Sequence, residues 1–275
     1  MAIDSARRQT YPNLEIVISD NASEDATANI VSSVAAQDER VRYVRQPRPL
    51  TSLENHRAVW ELATGEYFAW LADDDLLDVE FVPKLVAALE ATPEAVLAFG
   101  DIVAFTDYDG LSDAVPFPYY DFGTYGRSAW RRLWKNRHGG YEMKGLFRRG
   151  ILEGFGWYDH TVSPDWPLVT YLMLSGEIIK VPGATMYNGS SEPKSGSDRA
   201  QAQSFSKIER FPTATVSWRC GLAARDAAVR LGRRRSVLLD AAITFASLLW
   251  FNRHELLPNA VEPMRQRARS FRQNI

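Results

Sequence analysis

The chain has 275 residues, 45% apolar and 24% charged, with a net charge of −2. That is the balance of an ordinary globular protein of one large domain or two modest ones, and it gives no general drive toward nucleic acid. Cys220 is the single cysteine, which excludes an internal disulfide, and the four His are scattered, which argues against a His-based zinc site.

A helical fragment over 2–9 leads into the turn Tyr11-Pro12-Asn13. Leu14–Ser19 (LEIVIS) is apolar and rich in β-branched residues, so it reads as a strand. It stops at Asp20 and Asn21, and a helix is expected over 23–37. Both residues also favour plain strand-to-helix turns, so on this stretch alone a ligand contact and simple turn chemistry compete. Strand 41–45 and helix 51–63 follow. Thr51 and Glu54 have capping-box spacing at the start of that helix, and Gly65 is the expected stop.

The next strand, over 66–71, runs straight into three consecutive carboxylates, Asp73, Asp74 and Asp75. Adjacent like charges repel and cannot be buried unpaired. Clustered carboxylate oxygens suit a hard divalent cation such as Mg²⁺ or Mn²⁺, and magnesium commonly combines one or two protein carboxylates with substrate phosphates. A metal–diphosphate site and a solvated acidic turn are the two readings. The second acidic strand end, at Asp20, favours the first.

A helix over 81–91 and a strand over 96–105 complete an alternation that argues for βαβ units. The expected fold class is α/β, with a doubly wound, mostly parallel sheet. In such sheets ligands bind outside the carboxyl ends of the strands. If the strands ending at Asp20 and before Asp73 are parallel neighbours, these carboxylates share one crevice.

After a turn at 107–110 the texture changes. Residues 111–145 are rich in aromatics, Gly and Pro, and read as irregular structure covering the strand ends. A helix is expected over 165–175, a strand over 177–187, a polar loop over 188–203, and helices from about 213. The expected organisation is therefore a binding half over 1–110, a second half over 111–203 and a helical C-terminal extension over 204–275. From Arg219 to Ile275 there are eleven Arg, no Lys and four acids, a local charge of +7. Val237–Phe251 is apolar but short for a membrane span and contains Asp240, so it reads as a buried helix. Arg233, Arg234 and Arg235 before it make a helix on an anionic membrane face the alternative.

The segments QTYPNLEIVISDNASEDAT (Gln9–Thr27) and ATGEYFAWLADDD (Ala63–Asp75) resemble, in order and spacing, the opening of family 2 glycosyltransferases of the GT-A fold. The resemblance is strong to about Phe105, weaker to about Tyr187, and does not extend into the C-terminal helices. It implies an inverting transfer of sugar from a nucleotide-sugar donor, with UDP-sugars favoured, to a hydroxyl of a glycan or lipid-linked acceptor, as in surface polysaccharide synthesis. It also implies a divalent metal, Mg²⁺ or Mn²⁺. By register, Asp20 is the nucleotide contact, Asp73 faces the ribose, and Asp74 with Asp75 beside it holds the metal. Here the acidic motif is ADDD, Ala72 standing where the family's common DxDD has its first Asp. Asn55 and Arg57 fall where the family places nucleotide-facing polar groups, and an exposed helix face is the competing account of both.

The family's catalytic acidic residue, often written ED, maps onto Asp165, where Pro164 takes the Glu position. An N-cap is the competing role. Asp159 maps to the acceptor pocket, with Trp157 close by, and His160 is a weaker rival base. Of the aromatics Trp130, Trp134, Tyr141, Trp157, Tyr158 and Trp166, most are expected in the core, with one or two free to stack on sugar. Family members also begin with a strand before the first helix, which this sequence does not show. A catalytically inactive GT-A-like binding or scaffold protein is the alternative. The expected location is cytoplasmic, with peripheral membrane contact through the basic C-terminal helices.

Overall fold

The computed structural model describes residues 1–106, 111–116, 141–158, 165–189 and 212–232. Among them are helices α1 (Ala2–Arg7), α2 (Thr27–Ala35), α3 (Ser52–Leu62), α4 (Phe81–Ala91), α5 (Asp165–Ser175) and α6 (Pro212–Arg230). The strands are β1 (Ile16–Asp20), β2 (Val41–Arg45), β3 (Tyr67–Phe68), β4 (Leu76–Leu77), β5 (Ala95–Phe105), β6 (Val115–Pro116), β7 (Leu146–Arg148) and β8 (Glu177–Gly189). Two 3₁₀ helices, Tyr141–Lys144 and Arg149–Gly154, flank β7.

The strands form two sheets. β1 and β2 pair in parallel as a two-stranded sheet. The other six run in the order β3-β7-β5-β8-β4, with β6 on the far part of β5. The long β5–β8 ladder is parallel, whereas β3–β7, β5–β7, β5–β6 and β4–β8 are short and antiparallel. The longer ladders thus have the expected parallel sense, and antiparallel pairings trim their edges. The strands before Asp20 and before Asp73 are not neighbours: β1 pairs with β2, and β3 pairs with β7. The strand expected over 66–71 is cut to Tyr67–Phe68, because Trp70 leaves the ladder and its indole N–H donates to the His56 carbonyl at 3.1 Å.

Alternation sends neighbouring residues of the large sheet to opposite faces. Leu146 and Ile179 face Phe81, Leu85 and Leu89 of α4; Phe147 and Ile178 face Trp60, Leu152, Leu168, Tyr171 and Leu172. Ala223 and Ala227 of α6 join that second core, so the helix packs on the sheet's own layer. Between Phe99 and Asp101 the β5–β8 register shifts at Gly100, where a Cβ would meet the Ala184 carbonyl oxygen at 1.8 Å. Only a residue without a side chain lets the two backbones approach that closely.

The predicted capping box is present on α3. The Glu54 N–H donates to Thr51 Oγ1 at 3.2 Å, and the Thr51 N–H donates to Glu54 Oε2 at 2.7 Å. Gly65 is not that helix's stop, which falls at Leu62 with Ala63 extended. The Gly65 N–H instead donates to Glu15 Oε1 at 2.8 Å, and the Thr64 backbone N–H and hydroxyl donate to the same oxygen.

Candidate active site

The acidic segment is carried by a rigid aromatic base. Trp70 stands edge-on to Phe68 (4.8 Å) and Phe147 (5.2 Å) and packs near Trp157. Beyond it the chain turns: the Asp75 N–H donates to the Ala72 carbonyl at 3.2 Å, which makes Asp73 and Asp74 the central pair of a four-residue turn. The three carboxylates therefore have different surroundings. Asp73 is exposed and Asp74 half-buried, while Asp75 is only 1% exposed. Asp75 Oδ2 accepts from Lys144 Nζ at 2.6 Å and Oδ1 from the Gly189 N–H at 3.2 Å. Lys144 Nζ also donates to Asn188 Oδ1. Burial pushes the Asp75 carboxyl above its usual range, and the ammonium beside it pulls the other way.

Asp20 ends β1 and is buried. Its carboxylate accepts from the Ser23 N–H at 2.8 Å and from the Tyr43 hydroxyl at 2.7 Å, with Arg45 Nε at 3.9 Å. Burial alone would raise its pKa, but these bonds together hold it below the usual carboxylate value. The Ser23 bond is the turn chemistry that the sequence offered as the alternative to a ligand contact. Next to it, Ser19 Oγ donates to Asn55 Oδ1 at 2.7 Å, and the Asn21 side chain makes two hydrogen bonds to the Leu50 backbone. Helix α3 thus touches both strand ends, Ser19 through Asn55 and Trp70 through the His56 carbonyl. Arg57 lies on its exposed side, paired with Glu61 at 2.8 Å.

Asp165 is the first residue of α5 and is half-buried. Burial raises its carboxyl pKa, opposed by its own backbone N–H and that of Trp166. Asp165 is thus the first residue inside the helix and not the cap before it, and its affinity for a proton lies above that of an ordinary Asp. Trp157 has φ +44° and is 8% exposed, enclosed by Trp60, Trp70 and Phe155. A left-handed aromatic residue costs about 1–3 kcal/mol and persists only where its surroundings impose it. Next to it, the Tyr158 hydroxyl donates to Asp226 on α6. Asp159, His160, Trp130 and Trp134 lie outside the described residues, as do Arg233–Arg235 and Val237–Phe251.

Among the described residues no group of three or more His, Cys, Asp or Glu side chains is arranged to hold a metal by itself. Asp73 and Asp74, exposed and half-buried in the centre of the turn, are hard oxygen donors of the kind that a cation sharing a diphosphate takes. Lys144 is the residue of this region that the sequence did not reveal. It lies 69 residues from its partner, inside a stretch without period.

The fold is that of the GT-A glycosyltransferases. S. aureus TarS (residues 1–349) in complex with UDP-GlcNAc superposes with a TM-score of 0.61 at 14% identity, covering 88% of this chain and 67% of that one. GalNAc-T7 with UDP, GalNAc and Mn²⁺ superposes with a TM-score of 0.53 at 14% identity, covering 85% and 51%. The family model for glycosyl transferase family 2 matches residues 1–156, and the chain belongs to that family. Similar curated proteins include the glycosyltransferase GlyA of Streptococcus pneumoniae, 27% identical over 40% of this chain and 15% of its own length. The putative glycosyltransferase EpsH of Bacillus subtilis is 25% identical over 55% of this chain and 43% of its own length. The GalNAc(5)-diNAcBac-PP-undecaprenol beta-1,3-glucosyltransferase of Campylobacter jejuni is 34% identical over 28% of this chain and 25% of its own length. The chain spans less than half the length of each of these three relatives. Among the described residues no helix is long and apolar enough to cross a membrane.

Proposed function

We propose that this chain transfers a sugar from a nucleoside-diphosphate sugar to a hydroxyl acceptor, with inversion at the anomeric carbon. The observation that carries the reading is the pair Asp73 and Asp74, one exposed and one half-buried, in the centre of a turn that follows an aromatic cluster in a family 2 chain. Asp73 faces the ribose and Asp74 is the protein ligand of a divalent cation, Mg²⁺ or Mn²⁺. Asp75, expected beside the metal, supports the turn from behind through Lys144. A cation so held would offset the charge that the departing nucleoside diphosphate gains.

The other roles belong to this chain's side chains. Asp20, Asn55 and Arg57 line the nucleotide end. Asp165 takes the proton of the acceptor hydroxyl. Its raised affinity for a proton suits a general base, because the proton must be held while the new glycosidic bond forms. Asp159 flanks the acceptor, and Trp157, buried among Trp60, Trp70 and Phe155, supports that wall from inside the core. UDP is the favoured nucleotide, as in the complexes of the structural neighbours. A lipid-linked glycan is the favoured acceptor, in keeping with the undecaprenol-linked substrate in the C. jejuni relative's name.

The test is donor hydrolysis or transfer from UDP-sugars with Mn²⁺, with Asp74→Ala and Asp165→Asn as controls. Asp165→Asn is expected to lose about 10²–10⁴-fold in rate while still binding UDP. Turnover that survives this change removes Asp165 as the base. Nucleotide binding without any turnover in the wild-type chain would instead mark a binding protein on the same fold.

A further inference from the structure

The sequence sets three carboxylates side by side, and the fold gives one of them a different task. Asp75 is buried and bonded on both oxygens, to Lys144 Nζ at 2.6 Å and to the Gly189 N–H at 3.2 Å. Lys144 is the last residue of the 3₁₀ helix Tyr141–Lys144, next to Gly145 and β7. Its ammonium has three protons, and the carboxylate of Asp75 and the side-chain oxygen of Asn188 accept two of them. One carboxylate thereby ties together the acidic turn, the 3₁₀ helix before β7 and the end of β8. Asp73 and Asp74, one and two residues before it, are the central pair of the same turn.

We propose that Lys144 is a positioning residue of the nucleotide–metal site: by holding Asp75 inward it sets the 72–75 turn so that Asp73 reaches the ribose and Asp74 the cation on the donor diphosphate. This rests on the nucleotide-sugar reading above. The competing arrangement, in which Asp75 is itself a metal ligand, makes the opposite prediction. There the ammonium competes with the cation for one carboxylate, and its removal tightens metal binding.

Three forms of the full chain decide between them: wild type, Lys144→Met, and the double variant Asp75→Asn with Lys144→Met. The double variant removes the buried unpaired charge that the single change leaves, so it keeps the fold in hand if the single variant unfolds. Calorimetry would follow UDP binding across Mn²⁺ concentrations, and backbone hydrogen exchange would follow residues 72–77 and 186–189. Loss of the lysine is expected to weaken Mn²⁺-dependent UDP binding by about 10–100-fold, the range for supporting groups behind metal ligands. Exchange at 72–77 is expected to rise, and both effects should persist in the double variant. Unchanged or tighter Mn²⁺–UDP binding, or unchanged exchange at 72–77, overturns the proposal. A wild-type chain that binds no UDP with Mn²⁺ sinks the nucleotide reading and with it the role assigned to the lysine; the exchange data then report only whether the clasp exists.

Discussion

In the six-stranded sheet, Leu97, Phe99, Phe147 and Ile178 are almost completely buried between layers of helices. In the two-stranded sheet, Ile16, Val17 and Ile18 are only half-buried. Directional polar contacts hold that smaller sheet instead. Glu15 accepts from Thr64 and Gly65, Asp38 pairs with Arg7 and Arg40, and Ser19 bonds to Asn55. The acidic turn and Asp165 therefore stand on apolar packing, to which the turn adds one partly buried pair, Asp75–Lys144, whereas Asp20 stands on hydrogen bonds and ion pairs. Apolar burial is non-directional and insensitive to pH, whereas exposed ion pairs weaken with salt and with acid. The two-stranded region around Asp20 should thus open locally at a lower cost than the region that carries the acidic turn.

The largest expected effect comes from cutting the apolar region. Phe147→Ala removes a fully buried ring that Trp70 also packs against, and should cost about 3–5 kcal/mol in denaturant unfolding. Val17→Ala, in a half-buried strand, should cost about 1 kcal/mol or less. Equal losses would erase the contrast between the two sheets. Next in size is Gly100→Ala, which forces a methyl group against the Ala184 carbonyl. The β5–β8 ladder must yield, at about 1–3 kcal/mol, and the loss should appear as global unfolding and not as local opening.

Acid should separate the two regions in the other direction. Glu15, Asp20 and Asp38 all have pKa values held below the ordinary carboxylate range. At Glu15 and Asp20 burial opposes this, and hydrogen bonds from Thr64 and Gly65, and from Ser23 and Tyr43, outweigh it. At Asp38 the bonds from Arg40 and Arg7 lead. A carboxylate with a depressed folded pKa adds stability above its unfolded pKa and loses it as pH falls through the folded value. Hydrogen exchange in β1 and β2, corrected for intrinsic rates, should therefore accelerate below about pH 4, where free carboxylates begin to protonate, before β5 and β8 respond. Glu15→Gln should reproduce part of this at neutral pH, at about 0.5–1 kcal/mol because the site is partly in water. Simultaneous loss of protection in all four strands would refute a softer two-stranded sheet.

Much of the order of helices and strands was legible in the sequence, because it is written in local patterns. Helices 81–91 and 165–175 and strand 41–45 fall where period and composition place them, and the Thr51–Glu54 cap is a four-residue signal. The sheet arrangement was less legible. Pairing partners are chosen by packing across the whole chain, so the strand before Asp73 joins β7 and not β1. The site divides in the same way. Asp20 and Asp73–Asp75 announce themselves by sitting at strand ends, but the inward turn of Asp75 depends on Lys144 and Asn188, residues 69 and 44 positions apart from their partners in those bonds. No local pattern marks a lysine in an aperiodic stretch as the partner of a distant carboxylate.

The smallest effect on stability gives the finest test of the proposed nucleotide contacts. Arg57 and Glu61 form an exposed pair one helical turn apart on α3, so Arg57→Ala should cost about 0.3–0.5 kcal/mol or less. If Arg57 contacts the donor, as proposed, the same change raises KM for the nucleotide sugar with kcat nearly unchanged, the mark of lost uniform binding. A shift in KM without a shift in Tm would place the guanidinium on the ligand. A KM equal to that of the wild type would return Arg57 to the solvated face of the helix and leave Asp20 and Asn55 as the proposed nucleotide contacts.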